Sequence, residues 1–263
     1  MPQSFITEAV VEAVRGLPRF PSLSVLDLSC GEGEILQLLR DMGCDVHGTH
    51  FREKDYIVKT RDRLRDLPIT AGVNLHQPLP FPSGAFDVVL LIEVLEHLES
   101  HFNIIAEAGR VLKPGGFLLI TTPNIHRLHS RLQFFLTGKH KLIRRRFGWD
   151  LRPEDRYAYH IAPVDFPLMH TLLHQAGLEM RQLRFTRFKW TSLCLLPLWP
   201  IIWMACRLTM DRETRRSEPF RKGEQTLNHW LTRPALLFSE QLFVVAQRRS
   251  DPERVAFGSA PSL

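Results

Sequence analysis

"SVLDLSCGEGEILQLLRDMG", residues 24–43, passes from a short apolar run through a turn holding Gly31 and Gly33 into an amphipathic segment that ends at Gly43. Strand, glycine turn and helix in this order form the opening unit of an open α/β sheet, where the first turn lies against a ligand. Glycine at both turn positions lets the backbone bend tightly and approach a bound group with no side chain between them. Two phosphate-binding readings fail on detail. No Gly-Lys-Ser/Thr follows, and Leu36 stands where a dinucleotide fingerprint needs its third glycine.

On either side the same rhythm continues. Residues 4–15 repeat apolar side chains at helical spacing, and "CDVHGTHF" (44–51), "AGVNLH" (71–76), "FDVVLLI" (86–92) and "FLLITTP" (117–123) read as further strands. A charged helical stretch runs through Arg65, another helix is predicted over 101–112, and "KPGG" (113–116) reads as the turn after it. The unbroken apolar run at 86–92 is what a strand covered on both faces of a parallel sheet needs. Such alternation implies an α/β, doubly wound, mostly parallel sheet with ligands at the carboxyl ends of its strands. "DFPLMHTLLHQAG" (165–177) adds a helix, and "LEMRQLRFTRF" (178–188) and "SEQLFVVAQRR" (239–249) alternate like two final strands, read as an antiparallel edge. The expected organisation is one domain over 1–249, with a basic insertion at 124–160, a hydrophobic insertion at 188–238 and a loose tail at 250–263.

A chain of 263 residues, 44% hydrophobic and 24% charged, can bury a substantial core, which excludes wholesale disorder. Lys and Arg outnumber Asp and Glu by 34 to 28, a mild preference for anionic partners. The four cysteines show no C-x-x-C spacing and no basic-then-apolar leader is read, so a cytoplasmic setting is expected.

Four motifs in order, "VLDLSCGEGEIL" (25–36), "LPFPSGAFDVVLLIEVLEHL" (79–98), "RVLKPGGFLLITTPN" (110–124) and "LHQAGLE" (173–179), resemble the class I S-adenosylmethionine-dependent methyltransferases. The resemblance spans residues 22–125 and 160–187. It implies a Rossmann-like sheet of seven strands, the last antiparallel, and S-adenosylmethionine as cofactor. By resemblance Asp27, Ser29, Gly31 and Gly33 line the methionine part of the cofactor, His50 and Phe51 stand at its ribose, and Ile92 and Glu93 flank the transferred methyl. Three positions depart from the family: Ser29 replaces a usual glycine, His50 a ribose-gripping carboxylate, and Leu75 an acidic residue often found at the adenine. An imidazole can hydrogen-bond a ribose hydroxyl, as can the nearby Glu53, but neither reproduces the two-acceptor grip.

Glu93, Glu96 and His97 stand at i, i+3 and i+4, so on a helix they share one face. Carboxylates near a helix start also interact well with its dipole, the ordinary explanation for such a pattern. The spacing together with His160, inside "RYAYHIAPVDF" (156–166), is similar to the ligand set of metal-dependent O-methyltransferases, such as those of ubiquinone biosynthesis and of small-RNA 3′ ends. That resemblance implies Glu93, Glu96, His97 and His160 as ligands of a divalent cation, Mg²⁺ or Mn²⁺, and Glu93, His97 and His160 as the catalytic groups. A cation lowers the pKa of an acceptor hydroxyl and fixes it; without one, Glu93 or a histidine serves as general base. The histidines at 126, 129, 140, 170 and 174 receive no role.

"RLHSRLQFFLTGKHKLIRRRFGW" (127–149) interleaves basic and apolar residues, as either a solvated face or a contact for an anionic partner. "WTSLCLLPLWPIIWMAC" (190–206) carries no charge over 17 positions but is short for a bilayer span and broken by Pro197 and Pro200. Its tryptophans, with Arg187, Lys189, Arg207 and Arg212 around it, fit shallow attachment to an anionic membrane through 188–212 as well as they fit a cap on the sheet or a dimer contact. The expected activity is O-methylation of a small-molecule, glycan or lipid-linked acceptor. RNA methylation is the rival within catalysis, and a non-catalytic binding subunit the rival outside it.

Overall fold

Seven strands, β1 (Ser24–Asp27), β2 (Asp45–Thr49), β3 (Ile69–Thr70), β4 (Phe86–Ile92), β5 (Leu112–Pro123), β6 (Leu178–Arg184) and β7 (Gln241–Arg248), form one sheet. Their order is β3-β2-β1-β4-β5-β7-β6, with β7 antiparallel to both neighbours and the pairs from β3 to β5 parallel. This computed structural model describes residues 4–52, Leu64, 66–140, 160–188, 194–208 and 218–250. Chain order reverses between β1 and β4, so the switch point of the sheet lies there.

The apolar run of β4 explains the layering. Val89 and Leu91 enter a core with Leu118, Ile120, Ile104 and Phe166, while Val88, Leu90 and Ile92 enter another with Val10, Ile35, Leu39 and Leu119. Successive side chains of a strand point to opposite faces, so a strand apolar at every position must be covered twice. Helices α1 (Ser4–Arg15) and α2 (Glu34–Asp41) cover one face. Helices α3 (His101–Val111) and α5 (Phe166–Gln175) cover the other, and α4 (Leu128–Thr137) follows β5. Between β6 and β7 lie α6 (Leu198–Leu208), α7 (Glu218–Leu231) and α8 (Pro234–Phe238).

Three expectations need correction, those for the third strand, the "KPGG" turn and the helical placing of residues 93–97. The third strand is residues 69–70, not 71–76: Gly72 turns at φ +68 and Val73 and Leu75 are buried as loop residues. "KPGG" lies inside β5 as a bulge, since Phe86 pairs with Leu112 but Val88 with Phe117. A Cβ at Gly116 would stand 2.9 Å from the carbonyl oxygens of Asp87 and Lys113, so only glycine fits that fold-back. The final two strands do pair antiparallel, but β7 inserts between β5 and β6 and leaves β6 at the edge. The helix after β4 begins at His101; residues 95–97 form only a 3-10 turn. The helical stretch read through Arg65, most of the basic segment after Lys139 and the tail beyond Ser250 lie outside the described residues.

At the amino edge of the sheet, opposite the functional end, Asp87 is buried and accepts from Ser24 N at 3.0 Å, Ser24 Oγ at 2.8 Å and Lys113 Nζ at 2.9 Å, and also from Arg19. Burial would raise its carboxyl, but the bonds from Lys113, Ser24 and Arg19 together hold it below the usual carboxylate range. A depressed pKa stabilises the fold above the unfolded value, and that contribution is lost as pH falls through the folded one. Asp87→Asn is therefore expected to cost about 2 kcal/mol of unfolding free energy at neutral pH. Urea melts should show this deficit shrinking in acid.

Candidate active site

The turn after β1 is held by β2. Ser29 N donates to Thr49 Oγ1 at 2.9 Å and Cys30 N to Thr49 O at 3.0 Å, which fixes the path of the chain into Gly31. Ser29, Gly31 and Gly33 all adopt left-handed backbone, at φ +63, +57 and +72. A Cβ at Gly31 would meet nothing within 4 Å, whereas one at Gly33 would press on Leu64 and Leu67. The first glycine thus faces open space and the second packs the loop onto the protein. Both conformations suit a loop that presents bare backbone to a ligand.

Asp27 ends β1 and is 3% exposed; burial pushes its carboxyl up to about 8. With the folded pKa raised, the stabilising contribution is complete below the unfolded value of 3.8 and is lost as pH rises toward 8. The cofactor-free protein should accordingly lose Tm between about pH 4 and about pH 8, and Asp27→Asn should flatten that slope in a thermal-shift titration.

His50 follows β2 and is buried. Its Nδ1 accepts from Arg52 N at 3.0 Å, which places the proton on Nε2, and burial lowers its pKa so that it is neutral near pH 7. Phe51 stacks on it at 5.1 Å and is 40% exposed. Leu75, where the family often has an acid, is packed into the core.

At the end of β4 the chain bends sharply. Glu93 sits at φ +54, a conformation costly for a residue with a Cβ and one that gathers at functional sites. The helical face expected for residues 93–97 is therefore not what arranges them. Thr121 Oγ1 donates to Glu93 Oε1 at 3.1 Å, and Thr122 Oγ1 donates to Glu96 Oε2 at 3.0 Å. These threonines are consecutive on β5 and point to opposite faces of the sheet. Thr121 shares its parity with Leu119, on the α1/α2 face, and Thr122 with Ile120, on the α3/α5 face. The motif is thereby split: Glu93 turns to the side of the glycine loop and Glu96 to the other.

On that second side Glu96, His97 and His160 come together, one ligand-type atom of each lying within 4.8 Å of the others. The rings of His97 and His160 meet edge-on at 5.0 Å, and Ala162 N donates to Glu96 O at 3.1 Å, which pins the segment carrying His160. Glu93 lies outside this group. Glu96 is 2% exposed and its Oε1 has no hydrogen-bond partner. Burial, then the charge of Glu93, raises its pKa well above the ordinary value. Buried carboxylate oxygens rarely stay unpaired, so this orphan marks a place for a cation, a proton or a ligand donor.

Glu96 and His160 line a cavity with Thr122, Pro123, Ile125, His140, Pro163 and Val164. His140 was given no role by the sequence reading, because no spacing rule connects a residue in a basic stretch with a motif more than forty positions earlier. Asn124 was also missed as a structural clamp: its Nδ2 donates to Leu236 O at 2.7 Å and Ser239 O at 3.1 Å, tying the end of β5 to the connection before β7.

The fold has counterparts among known proteins. Residues 26–120 match the family described as methyltransferase domain. The chain is 38% identical over 100 residues to a probable S-adenosylmethionine-dependent methyltransferase of Mycolicibacterium smegmatis, covering 38% of each protein. It is 26% identical over 165 residues to a ubiquinone biosynthesis O-methyltransferase of Maricaulis maris, covering 62% of this chain and 61% of that one. The match therefore spans less than two thirds of the length of either relative. A solved SAM-dependent methyltransferase from Archaeoglobus fulgidus shares the fold, with a TM-score of 0.52 and 20% identity over 92% of this chain and 94% of that one.

Proposed function

We propose that this chain, whose residues 26–120 match the methyltransferase domain family, transfers the methyl group of S-adenosylmethionine to a hydroxyl oxygen of a small-molecule, glycan or lipid-linked acceptor. The observation that carries the reading is the division of the "EVLEH" motif into a carboxylate on the glycine-loop side and a carboxylate with two imidazoles on the cavity side. One site needs both halves, a cofactor side and an acceptor side, at the switch point of the sheet.

The residues fit the cofactor. Gly31 offers bare backbone beside open space, Ser29 and Gly33 hold the loop in shape, and Asp27 backs it from β1. His50 offers an Nε2–H donor and Phe51 an exposed ring after β2, and Ile92 and Glu93 close the site from β4. When bound, the sulfonium cofactor supplies an electrophilic methyl carbon. Glu93, held by Thr121, would place a carboxylate on the side of that charge, and Glu96, His97 and His160 would meet the acceptor's hydroxyl from the cavity side.

His97 and His160 are the groups placed to take the acceptor's proton, and Glu96, beside both, is placed to stabilise the imidazolium that results. The same three residues fit a divalent cation, since a buried carboxylate oxygen without a partner and two imidazoles form a mixed oxygen and nitrogen donor set suited to Mn²⁺ or Mg²⁺. Such an ion supplies Lewis acidity toward an alcohol. The decisive test is mass spectrometry of metabolite and lipid extracts incubated with the protein and isotope-labelled S-adenosylmethionine, with a labelled methyl ether as the expected product. Absence of cofactor binding by calorimetry at millimolar concentration would sink the proposal.

A further inference from the structure

Helices α4 and α6 come from the two insertions, yet they stand over one small core. Leu128 of α4 clusters with Leu237 and Phe238, and Leu195 and Ile202 pack against the same cluster. Arg131 of α4 and Cys206 of α6 lie close enough to perturb each other electrostatically. Beyond this seam both helices carry apolar side chains into solvent. Phe135 is 85% exposed and Leu136 69% on α4, and Ile201 is 58%, Trp203 45% and Met204 53% on α6. An exposed apolar surface of this kind needs an occupant.

The charge around it selects one. In sequence, no Asp or Glu occurs from 108 to 149 or from 180 to 210, and Lys139, Lys141, Arg144, Arg145 and Arg146 follow α4. Glu224 of α7 lies near Cys206 on α6, but α4 and α6 themselves carry no carboxylate. Exposed aromatic and aliphatic side chains in a cation-rich stretch of sequence match the interface of an anionic bilayer, where rings sit at headgroup depth and basic residues meet lipid phosphates. Among the described residues no helix is long and apolar enough to cross a membrane, so contact is with the surface.

We propose that α4 and α6 together form a docking face for an anionic phospholipid bilayer, set at the rim of the cavity that holds Glu96 and His160. His140 joins the two features, since it lines that cavity and stacks on Phe134 of α4 at 4.4 Å. A membrane-resident amphiphile would keep its tail in the bilayer and bring its polar head to the mouth of the cavity, whose interior of about 10 Å³ admits only a hydroxyl-sized group. This consequence for the acceptor rests on the methyl-transfer reading; the docking itself does not.

Flotation of the full chain tests it, with vesicles of phosphatidylcholine alone and with phosphatidylglycerol added. Binding is expected to the anionic vesicles, to weaken as salt is raised, and to fall about tenfold in Phe135→Glu and in Trp203→Glu. Calorimetry with S-adenosylmethionine on the same variants should give unchanged affinity, which shows that they are folded. Tryptophan quenching by brominated lipid on the unmodified chain gives a second reading that needs no substitution. Equal recovery on neutral and anionic vesicles, no recovery, or variants that float like the parent overturn the proposal. A lipid-free dimer split by the same substitutions also overturns it and assigns the face to a second copy. Flotation without cofactor binding leaves the docking standing and removes the methyl-transfer reading.

Discussion

Glu96→Gln is expected to lower kcat at least a hundredfold, about the scale of a lost proton-transfer or ion-holding group, while S-adenosylmethionine affinity stays within a few-fold. Glutamine is nearly isosteric, and its amide oxygen can still accept from Thr122. What disappears is the ionisable carboxyl next to His97 and His160, with its unpartnered oxygen. Glu93→Gln is the matched control. Its carboxylate is held by Thr121 on the opposite face, so its loss should weaken the cofactor side, read as a raised KM for S-adenosylmethionine. If a cation is held at this cluster, EDTA abolishes turnover and Mn²⁺ or Mg²⁺ restores it in the parent, with no response left in Glu96→Gln. Turnover indifferent to EDTA together with a nearly active Glu96→Gln would count against both roles of this cluster.

The sheet was legible because burial on two faces leaves a pattern that chemistry cannot imitate: "FDVVLLI" has no polar position after Asp87 that a one-sided strand would need. The misplaced third strand shows the limit of the same signal. Val73 and Leu75 do alternate and are buried, but their spacing packs a loop under the sheet, and nothing short of the φ of Gly72 distinguishes the two uses. At the site, the i, i+3, i+4 spacing named the right companions for a different reason. Glu96 and His97 meet through a 3-10 turn, and Glu93 is carried away by a left-handed backbone and a threonine on the other face. Thr121 and Thr122 lie inside the third motif, but which glutamate each one holds follows only from strand parity once β4 and β5 are known to be neighbours. His140 reaches the cavity through the packing of α4, a long-range fact that local sequence does not carry.

The two loop glycines separate folding from cofactor binding. Gly31→Ala places a methyl group where nothing lies within 4 Å, at φ +57, so the apo fold pays only the left-handed penalty of about 1 kcal/mol. Gly33→Val, at φ +72, drives its Cβ to 2.6 Å from Leu64 Cδ2 and 2.8 Å from Leu67 Cδ1, and overpacking adds to backbone strain for an expected loss of about 3 kcal/mol or more. Thermal melts should therefore show a small fall for the first and a large one for the second. Calorimetry should order them differently: Gly31→Ala is expected to lose S-adenosylmethionine affinity by more than about tenfold although it is folded, because its methyl fills the space the cofactor needs against bare backbone. Gly33→Val loses binding through its fold, so a partial recovery at low temperature is expected there and not for Gly31→Ala. A folded Gly31→Ala with undiminished affinity would place the cofactor elsewhere and leave the open space beside this loop without a ligand.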